Sequence, residues 1–373
     1  MFLDISIYIT IYFLLFTKLI IKFPIINIEK KDYNRINNIK FNLFIILQQF
    51  LIILFLLIFY KAFKNRILYD NFKIILNGKN IKLQNLNYDN YKFAIIKCKK
   101  CSHCGFFCLF KFYLYSLTLY LNKGYIPIID LASFPNIYNG FNKFTKINPW
   151  EFFFNQPFGY TLELVLKNAK NIKYFECYFP KDNINHTTFY NNTYFIEFYH
   201  EMAIKYIPLK NEIIKEVNMI RKNLFNNANN VLGILQRGTD YIAIKPRFHP
   251  IPPKNKDIIY DIKLMDKKNK YDYYFLSTED DIIRKEFINE FKSKLKFIKP
   301  EKKIQYNYKS KGILAFNKNV KGDINFVKIY LINIIILSKC LDIICARTNG
   351  TIGLFILSNG FRNTKIYFLG EYK

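Results

Sequence analysis

Short apolar runs alternate with longer segments of helical periodicity from residue 92 to the end of the chain. Each run stops abruptly at polar residues, as buried parallel strands do. We predict strands at Lys92–Lys97, Ile126–Asp130, Val231–Gln236, Tyr273–Leu276, Leu341–Cys345 and Lys365–Leu369. We predict helices at Phe106–Asn122, at Glu212–Phe225, from the acidic residues before Asp281 to about Phe291, at Phe326–Ser338, and from the Arg347–Thr351 stretch through Leu357. This alternation predicts an α/β fold with parallel sheets.

A polar tract, Asn226–Asn230, divides the alternating pattern into two halves and is the best candidate for a domain boundary. We therefore predict two Rossmann-like domains, one at residues 65–228 and one at residues 229–373, preceded by an N-terminal segment at residues 1–64. Within the first domain, the aromatic stretch Phe152–Tyr160 is expected to be a loop that packs on the domain core.

The N-terminal segment contains an apolar run, Phe41–Tyr60, with only Asn42, Gln48 and Gln49 as polar breaks. About twenty apolar residues are enough to cross a bilayer. Basic residues lie on both sides of the run, so the positive-inside rule does not assign the two flanks to opposite compartments. We expect residues 1–64 to be membrane-associated, across the membrane or along its surface, with the catalytic part of the chain in the cytoplasm. Packed core helices are the alternative interpretation.

The composition indicates a folded and basic protein. Of its 373 residues, 51% are hydrophobic and 18% are aromatic, which excludes general disorder, and the formal net charge is +28. A positive charge favours anionic partners such as lipid headgroups and phosphorylated ligands. The lysines are spread over the whole chain rather than gathered in one segment, so we do not infer a nucleic-acid partner.

The polar residues that follow the strand predicted at 231–236 suit an anion. Arg237, Gly238, Thr239 and Asp240 stand in a row at its carboxyl end, where open α/β sheets bind ligands. An arginine offers a planar fork of donors to a phosphate or a carboxylate. The alternative is an ordinary strand–loop junction in which Arg237 and Asp240 form a structural pair.

A second polar stretch precedes the last predicted helix. Thr348, Asn349, Gly350 and Thr351 are small residues at a helix start, where backbone N–H groups can bind an anion. Plain capping of the helix is the alternative for this stretch.

Four cysteines are spaced as in a bacterial iron–sulfur motif: Cys98, Cys101, Cys104 and Cys108. The proline that usually follows is replaced by Leu109, and Cys108 is predicted to lie within a helix, beyond easy reach of a metal at its entrance. Zinc held with His103 is the other metal option. We expect no metal and free thiols. The other cysteines, Cys177, Cys340 and Cys345, are expected to be unpaired, as in a reducing compartment.

Three motifs, in order, resemble those of the GDP-fucose-dependent fucosyltransferases, the superfamily of the α-1,6-fucosyltransferases and protein O-fucosyltransferases. The stretch from Arg237 to Asp240, followed by Phe248-His249-Pro250-Ile251, is similar to that family's R-R-T-D and F-H-P-I elements. Phe275–Asp280 resembles its L-A-T-D-D element, and Cys340–Thr351 resembles its strand and phosphate loop. The resemblance covers residues from about 93 to 369 and is dense only after 231.

The resemblance implies a GT-B-like fold whose C-terminal domain binds the nucleotide sugar, with the acceptor side in the N-terminal domain. It implies an inverting, metal-independent glycosyltransferase that transfers fucose from GDP-fucose to a glycan or glycolipid acceptor, a cell-surface precursor at the membrane. The GDP-sugar is then a co-substrate, and no cofactor is expected. By resemblance, donor binding falls to Arg237 at the pyrophosphate with Gly238 and Asp240 beside it, to Glu279 or Asp280 at guanine or ribose, and to Thr348, Asn349, Gly350 and Thr351 at the β-phosphate.

Two departures from the family pattern concern the acceptor chemistry. The family's histidine two positions before the arginine is Leu235 in this chain, and the family's glutamate falls at Lys245. His249 is a candidate for the missing general base, because an imidazole titrates near neutral pH. Three alternatives stay open: another nucleotide sugar, a non-catalytic relative that binds a nucleotide sugar or glycan, and a metal protein built on the cysteines.

Overall fold

The computed structural model describes residue 49 and residues 88–179, 189–190, 193–238, 241–242, 245, 247–299 and 322–373. Residues 69–373 form one compact unit. The predicted membrane-associated segment lies outside the described residues apart from Gln49, so it stays a prediction. Within the described ranges, no helix has the length and apolar character needed to span a membrane.

The first half of the described chain forms a three-stranded parallel sheet in the order β2-β1-β3. Its strands are β1 (Phe93–Lys97), β2 (Ile126–Asp130) and β3 (Ile172–Glu176). Four helices accompany it: α1 (Phe106–Asn122), α2 (Leu162–Asn168), α3 (Thr193–Tyr206) and α4 (Asn211–Phe225). The stretch predicted as a packing loop forms short 3₁₀ turns on this core, where the neighbouring Trp150 is fully buried and stacks on Phe154.

The second half forms a five-stranded parallel sheet in the order β6-β5-β4-β7-β8. Its strands are β4 (Val231–Leu235), β5 (Tyr273–Ser277), β6 (Leu295–Lys296), β7 (Asp342–Ala346) and β8 (Asn363–Tyr367). Its helices are α5 (Asn255–Asn269), α6 (Asp281–Phe291), α7 (Ile324–Ser338) and α8 (Asn349–Leu357).

The strand order of the second sheet has one consequence for function. From β4 the chain proceeds to β5 and β6 on one side of the sheet, and then returns to β7 and β8 on the other. The topological switch point therefore lies between β4 and β7. In sheets of this kind a crevice opens outside the carboxyl ends of the two strands at the switch point, and ligands bind there.

The α/β class with parallel sheets is thus confirmed. One hydrophobic core contains buried side chains from both halves of the described chain, including Phe107 on α1 and Ile352 on α8. The predicted domain boundaries at 64/65 and 228/229, and the GT-B-like arrangement, stay predictions.

Gly353 permits the close approach of α1 and α8. A Cβ atom at this position would overlap the ring of Phe107, a buried side chain. We expect Gly353→Ala to lower the free energy of unfolding by about 1–3 kcal/mol, the usual cost of overpacking a core. The higher helix propensity of alanine, worth about 1 kcal/mol, offsets only part of this loss.

Urea unfolding of the full chain measures the effect. Gly105→Ala is the matched control, because Gly105 has a φ of −62° and a Cβ there would meet nothing within 4 Å. If Gly353→Ala were as stable as the control, the contact between α1 and α8 would be looser than described.

Candidate functional site

At the carboxyl edge of the second sheet, the residues that end neighbouring strands are aligned with one another. Leu235 on β4 is in register with Ser277 on β5 and with Cys345 on β7, and Cys345 is in register with Ile366 on β8. The residue two positions later in each strand's sequence is Glu279 after β5, Arg237 after β4, Arg347 after β7 and Phe368 after β8. Two arginines therefore flank the switch point, on strands about 4.8 Å apart.

Arg237 forms an ion pair with Glu279. Its Nε lies 3.2 Å from Glu279 Oε1, although the N–H does not point at that oxygen, so the contact is a charge pair rather than a directed hydrogen bond. The Gly238 N–H donates to the same oxygen at 3.3 Å. The Arg237 side chain keeps 27% of its surface exposed, and its guanidinium carbon lies 5.1 Å from the centroid of the Tyr241 ring. Arg237 is thus oriented and still accessible.

The carboxylate that pairs with Arg237 in the structure is that of Glu279, a partner that the sequence alone does not indicate. The structural partner suggested by the sequence, Asp240, lies outside the described residues together with Thr239. The contact of Glu279 with guanine or ribose, implied by the resemblance, stays a prediction.

Asp280 caps helix α6. Its Oδ1 accepts from the N–H groups of Ile282 at 2.8 Å and Ile283 at 3.2 Å, and the residue is buried. A Cβ atom at Gly238 would lie 2.6 Å from Asp280 Cβ, so glycine is needed for this packing. Gly238 and Asp280 therefore shape the edge beside Arg237, and a contact of Asp280 with the nucleotide remains a prediction.

Helix α8 begins at the same edge, directly after β7. Thr348 is its N-cap, and its Oγ1 accepts from the Thr351 N–H at 3.2 Å. The Thr351 hydroxyl donates to the carbonyl oxygen of Ala346 and is fully buried. Within the described part of the chain, the N–H groups of Asn349 and Gly350 donate no hydrogen bond. Capping and anion binding are thus compatible at this helix start, because the cap leaves these two donors available.

Arg347 is the residue that sequence reasoning missed. Its guanidinium carbon lies 4.2 Å from the ring centroid of Phe368 and 5.8 Å from that of Tyr190. Its Nε is buried and has no hydrogen-bond partner among the described residues. Arg347 stands directly before Thr348 and is aligned with Arg237 when the register of β4 with β7 is continued past the strands. This alignment would have indicated a role for Arg347, but it depends on the pairing of β4 with β7, which the sequence alone does not give.

Two side chains from the first half of the chain hold the start of α8. The Tyr190 hydroxyl donates to the carbonyl oxygen of Thr348 at 2.8 Å, and burial raises the pKa of Tyr190 well above its usual value, so it remains a donor. Lys111 Nζ on α1 donates to Asn349 Oδ1 at 3.1 Å, and burial lowers the pKa of Lys111. The first half of the chain therefore helps to fix the start of a helix that belongs to the second half.

His249 lies at the rim of this site. Its ring makes an edge-to-face contact with Tyr241 at 5.4 Å between centroids, which places one aromatic ring between His249 and Arg237. The residue is exposed, and its Nδ1 lies 3.0 Å from the Arg247 carbonyl oxygen. The Tyr372 N–H donates to the His249 carbonyl oxygen at 3.0 Å and holds this corner against the C-terminal residues. The role of His249 as a catalytic base stays a prediction.

The cysteines differ from expectation in two ways. Cys98 and Cys177 form a disulfide, because the register of Lys97 with Glu176 brings the ends of β1 and β3 together. The prediction that Cys98 and Cys177 are free thiols was therefore wrong. The prediction that Cys108 lies too deep in its helix was also wrong, since it occupies the first turn of α1 and its sulfur lies within 4.8 Å of those of Cys101 and Cys104.

The chain was compared with protein families, curated proteins and solved structures. No protein-family model and no curated protein sequence matches the chain. Among solved structures, the chain resembles POFUT1 in complex with GDP, at 9% identity over 75% of this chain and 99% of that one, with a TM-score of 0.43. It resembles the NodZ α-1,6-fucosyltransferase soaked with GDP-fucose at 13% identity, over 72% of this chain and 93% of that one, with a TM-score of 0.41. It also resembles the fucosyltransferase NodZ from Bradyrhizobium at 12% identity, over 68% and 88% of the two chains, with a TM-score of 0.36.

The TM-scores of these likenesses are below 0.5, so the function proposed for this chain rests on the residues of the sheet edge.

Proposed function

We propose that this protein is a glycosyltransferase that binds the diphosphate of a nucleotide sugar at the switch point of its second sheet. The observation that carries the proposal is the pair of arginines, Arg237 and Arg347, that end neighbouring strands at one level beside the start of α8. A diphosphate can accept from both guanidinium groups and from the N–H groups of Asn349 and Gly350. Charge-assisted hydrogen bonds of this kind are about twice as strong as neutral ones.

The arrangement suits a reaction with a nucleoside diphosphate as leaving group. In an inverting transfer, an acceptor hydroxyl attacks the anomeric carbon, the bond from that carbon to the β-phosphate oxygen breaks, and the electron pair leaves with the diphosphate. Negative charge thus develops on the β-phosphate, where preorganised donors stabilise it in the transition state. Arg237, Arg347 and the helix start supply this stabilisation from protein groups, so the proposed reaction needs no metal ion.

GDP-fucose is the donor we favour. The three motifs that resemble fucosyltransferases end β4, end β5 and follow β7, so residues distant in sequence converge on one sheet edge. Convergence of three family motifs at the switch point supports a donor of the family's kind more strongly than any one of them does. We propose further that the acceptor is a glycan or glycolipid precursor of the cell surface, and that residues 1–64 keep the enzyme at the membrane.

The acceptor base differs from the one that the family pattern implies. Lys245, which stands in the position of the family's glutamate, is exposed and cannot act as that carboxylate. His249 is one aromatic ring away from Arg237, and we propose that it takes the acceptor proton in the transfer step. The second candidate function, a binding protein without catalysis, is favoured by the absence of a carboxylate at position 245.

A ligand panel tests the proposal. The full chain is heated with GDP, UDP, CDP, ADP and inorganic phosphate, each with and without Mg²⁺, and unfolding is followed by fluorescence. A ligand at 100 times its Kd stabilises the folded state by about 2.7 kcal/mol. We expect the largest shift with GDP, independent of Mg²⁺. Equal shifts with all four nucleotides would refute the guanine preference, and no shift with any would refute the diphosphate site.

Release of GDP from GDP-fucose then separates an enzyme from a binding protein.

A further inference from the structure

Three reduced cysteines converge beside the start of α1, outside the row of residues at the sheet edge. Cys101 ends a short 3₁₀ turn, Cys104 lies in the loop that follows, and Cys108 lies in the first turn of α1. Their three sulfur atoms all lie within 4.8 Å of one another. We infer that Cys101, Cys104 and Cys108 form a thiolate site for one zinc ion.

The loop that carries the thiols is held in place by the fold. The Cys104 N–H donates to the Cys101 carbonyl oxygen at 2.9 Å, and the Cys108 N–H donates to the Gly105 carbonyl oxygen at 2.9 Å. The Tyr138 hydroxyl donates to the Cys104 carbonyl oxygen at 2.7 Å. The disulfide from Cys98 to Cys177 fixes the point where the loop leaves β1. A site built this way needs little rearrangement to receive an ion.

The spacing of the sulfur atoms selects the kind of metal site. Tetrahedral zinc with bonds of about 2.3 Å places its thiolates about 3.8 Å apart, which is compatible with three sulfur atoms that all lie within 4.8 Å of one another. An iron–sulfur cluster binds its thiolates through separate iron atoms and so spreads them farther, and it commonly uses four cysteines. The fourth cysteine of the sequence motif, Cys98, is in the disulfide. No fourth side-chain ligand joins the group among the described residues, which leaves one coordination position for water or another small ligand.

A buried lysine lies next to the three cysteines and favours a negatively charged metal site. When Zn²⁺ binds three thiols, three protons leave to solvent and the site carries a net charge of −1. Lys111 follows Cys108 by one helical turn, so the two residues share a face of α1. The Lys111 side chain is only 8% exposed, and its hydrogen bond goes to the neutral amide oxygen of Asn349. No carboxylate pairs with Lys111 in the described ranges, and a buried ammonium without a counter-charge is costly. A zinc–thiolate group of charge −1 supplies that counter-charge.

Metal analysis of the full chain tests the site. The protein is purified without oxygen and without added thiol reductant, so that the three thiols stay reduced and the disulfide stays intact. It is then supplied with Zn²⁺ and freed of excess metal by gel filtration, and its zinc is measured by mass spectrometry. We expect about one zinc per chain. Replacement of the zinc by Co²⁺ should give thiolate-to-cobalt charge-transfer absorption. Zinc well below one per chain, with no such absorption, would overturn the inference, as would iron with inorganic sulfide in place of zinc.

Variants locate the ion. Cys101→Ser, Cys104→Ser and Cys108→Ser should each weaken Co²⁺ binding by more than about 100-fold, since loss of an outer-shell partner alone weakens metal binding by 10–100-fold. Lys111→Met should weaken it by about 10-fold or more for the same reason. Cys340→Ser is the matched control, because Cys340 is also reduced but stands outside the group. Wild-type Co²⁺ affinity in Cys104→Ser would contradict the site. Cobalt absorption of the wild-type chain decides the question even if a variant fails to fold.

Discussion

Replacement of Arg237 by alanine is expected to weaken the binding of GDP by about 10- to 150-fold, with a small change in the free energy of unfolding. The loss corresponds to about 1.5–3 kcal/mol for hydrogen bonds to a charged group. The small change in stability follows from the accessibility of the side chain, which is 27% exposed at the sheet edge. Its ion pair with Glu279 is partly exposed on both sides and contributes little to folding.

Removal of Arg237 should destabilise the transition state of the transfer more than it destabilises the bound donor. If Arg237 bears on the β-phosphate as the leaving group forms, kcat for transfer from GDP-fucose falls by a larger factor than donor affinity. Arg237→Lys should recover little, because an ammonium cannot reproduce a bidentate fork. Calorimetric titration of the folded variants with GDP makes the measurement. Arg247→Ala is the control, since Arg247 is exposed and its guanidinium lies over Phe248 instead.

A purely structural role for Arg237 predicts the opposite pattern. If the arginine served only to pair with Glu279, its removal would lower the free energy of unfolding and leave the GDP affinity of the folded fraction unchanged. Wild-type affinity in Arg237→Ala would therefore refute its assignment as a phosphate ligand.

Arg347→Ala is expected to weaken GDP binding by a similar factor, about 10- to 150-fold. Arg347 flanks the same switch point, and its buried Nε has no hydrogen-bond partner in the described ranges, so a phosphate oxygen would satisfy it. Loss of the contact with Phe368 removes a cation–π interaction, worth about 0.5–2 kcal/mol of folding free energy. Titration of Arg347→Ala and of the double variant with Arg237→Ala measures both effects.

The double variant tests whether the two arginines bind one diphosphate. Groups that share a ligand are coupled, and their losses then differ from a simple sum by about 0.5–3 kcal/mol. Losses that simply add would show that the two arginines do not share one ligand group. An unchanged GDP affinity in Arg347→Ala would show that Arg347 only packs between aromatic rings.

Elements with a buried apolar face were predictable from the sequence. The helix Phe106–Asn122 and the strand Ile126–Asp130 have the predicted limits, and the strands before Arg237 and Thr348 differ by only a residue or so. These segments are buried on most sides, so their composition alone marks them. The positions of the two polar loops at strand ends followed directly, so the candidate residues Arg237 and 348–351 could be placed at the sheet edge from the sequence.

Elements with few buried residues were missed. Strand β3 has a partly exposed burial pattern along its whole length, and α5 buries only Ile258 and Ile262 among many polar residues. Neither gives a periodic apolar signal. Pairings between distant segments were equally hidden, because they depend on strand order. The partnership of Arg237 with Glu279, the level of Arg347 and the disulfide of Cys98 with Cys177 all follow from registers that only the folded sheets define.

The most direct test of the proposed diphosphate site is a crystal structure of the full chain with GDP. We expect the diphosphate outside the carboxyl ends of β4 and β7, within hydrogen-bond distance of the guanidinium groups of Arg237 and Arg347 and of the N–H groups of Asn349 and Gly350. A diphosphate bound elsewhere, with both guanidinium groups turned away from it, would show that the switch point of the second sheet is not the donor site.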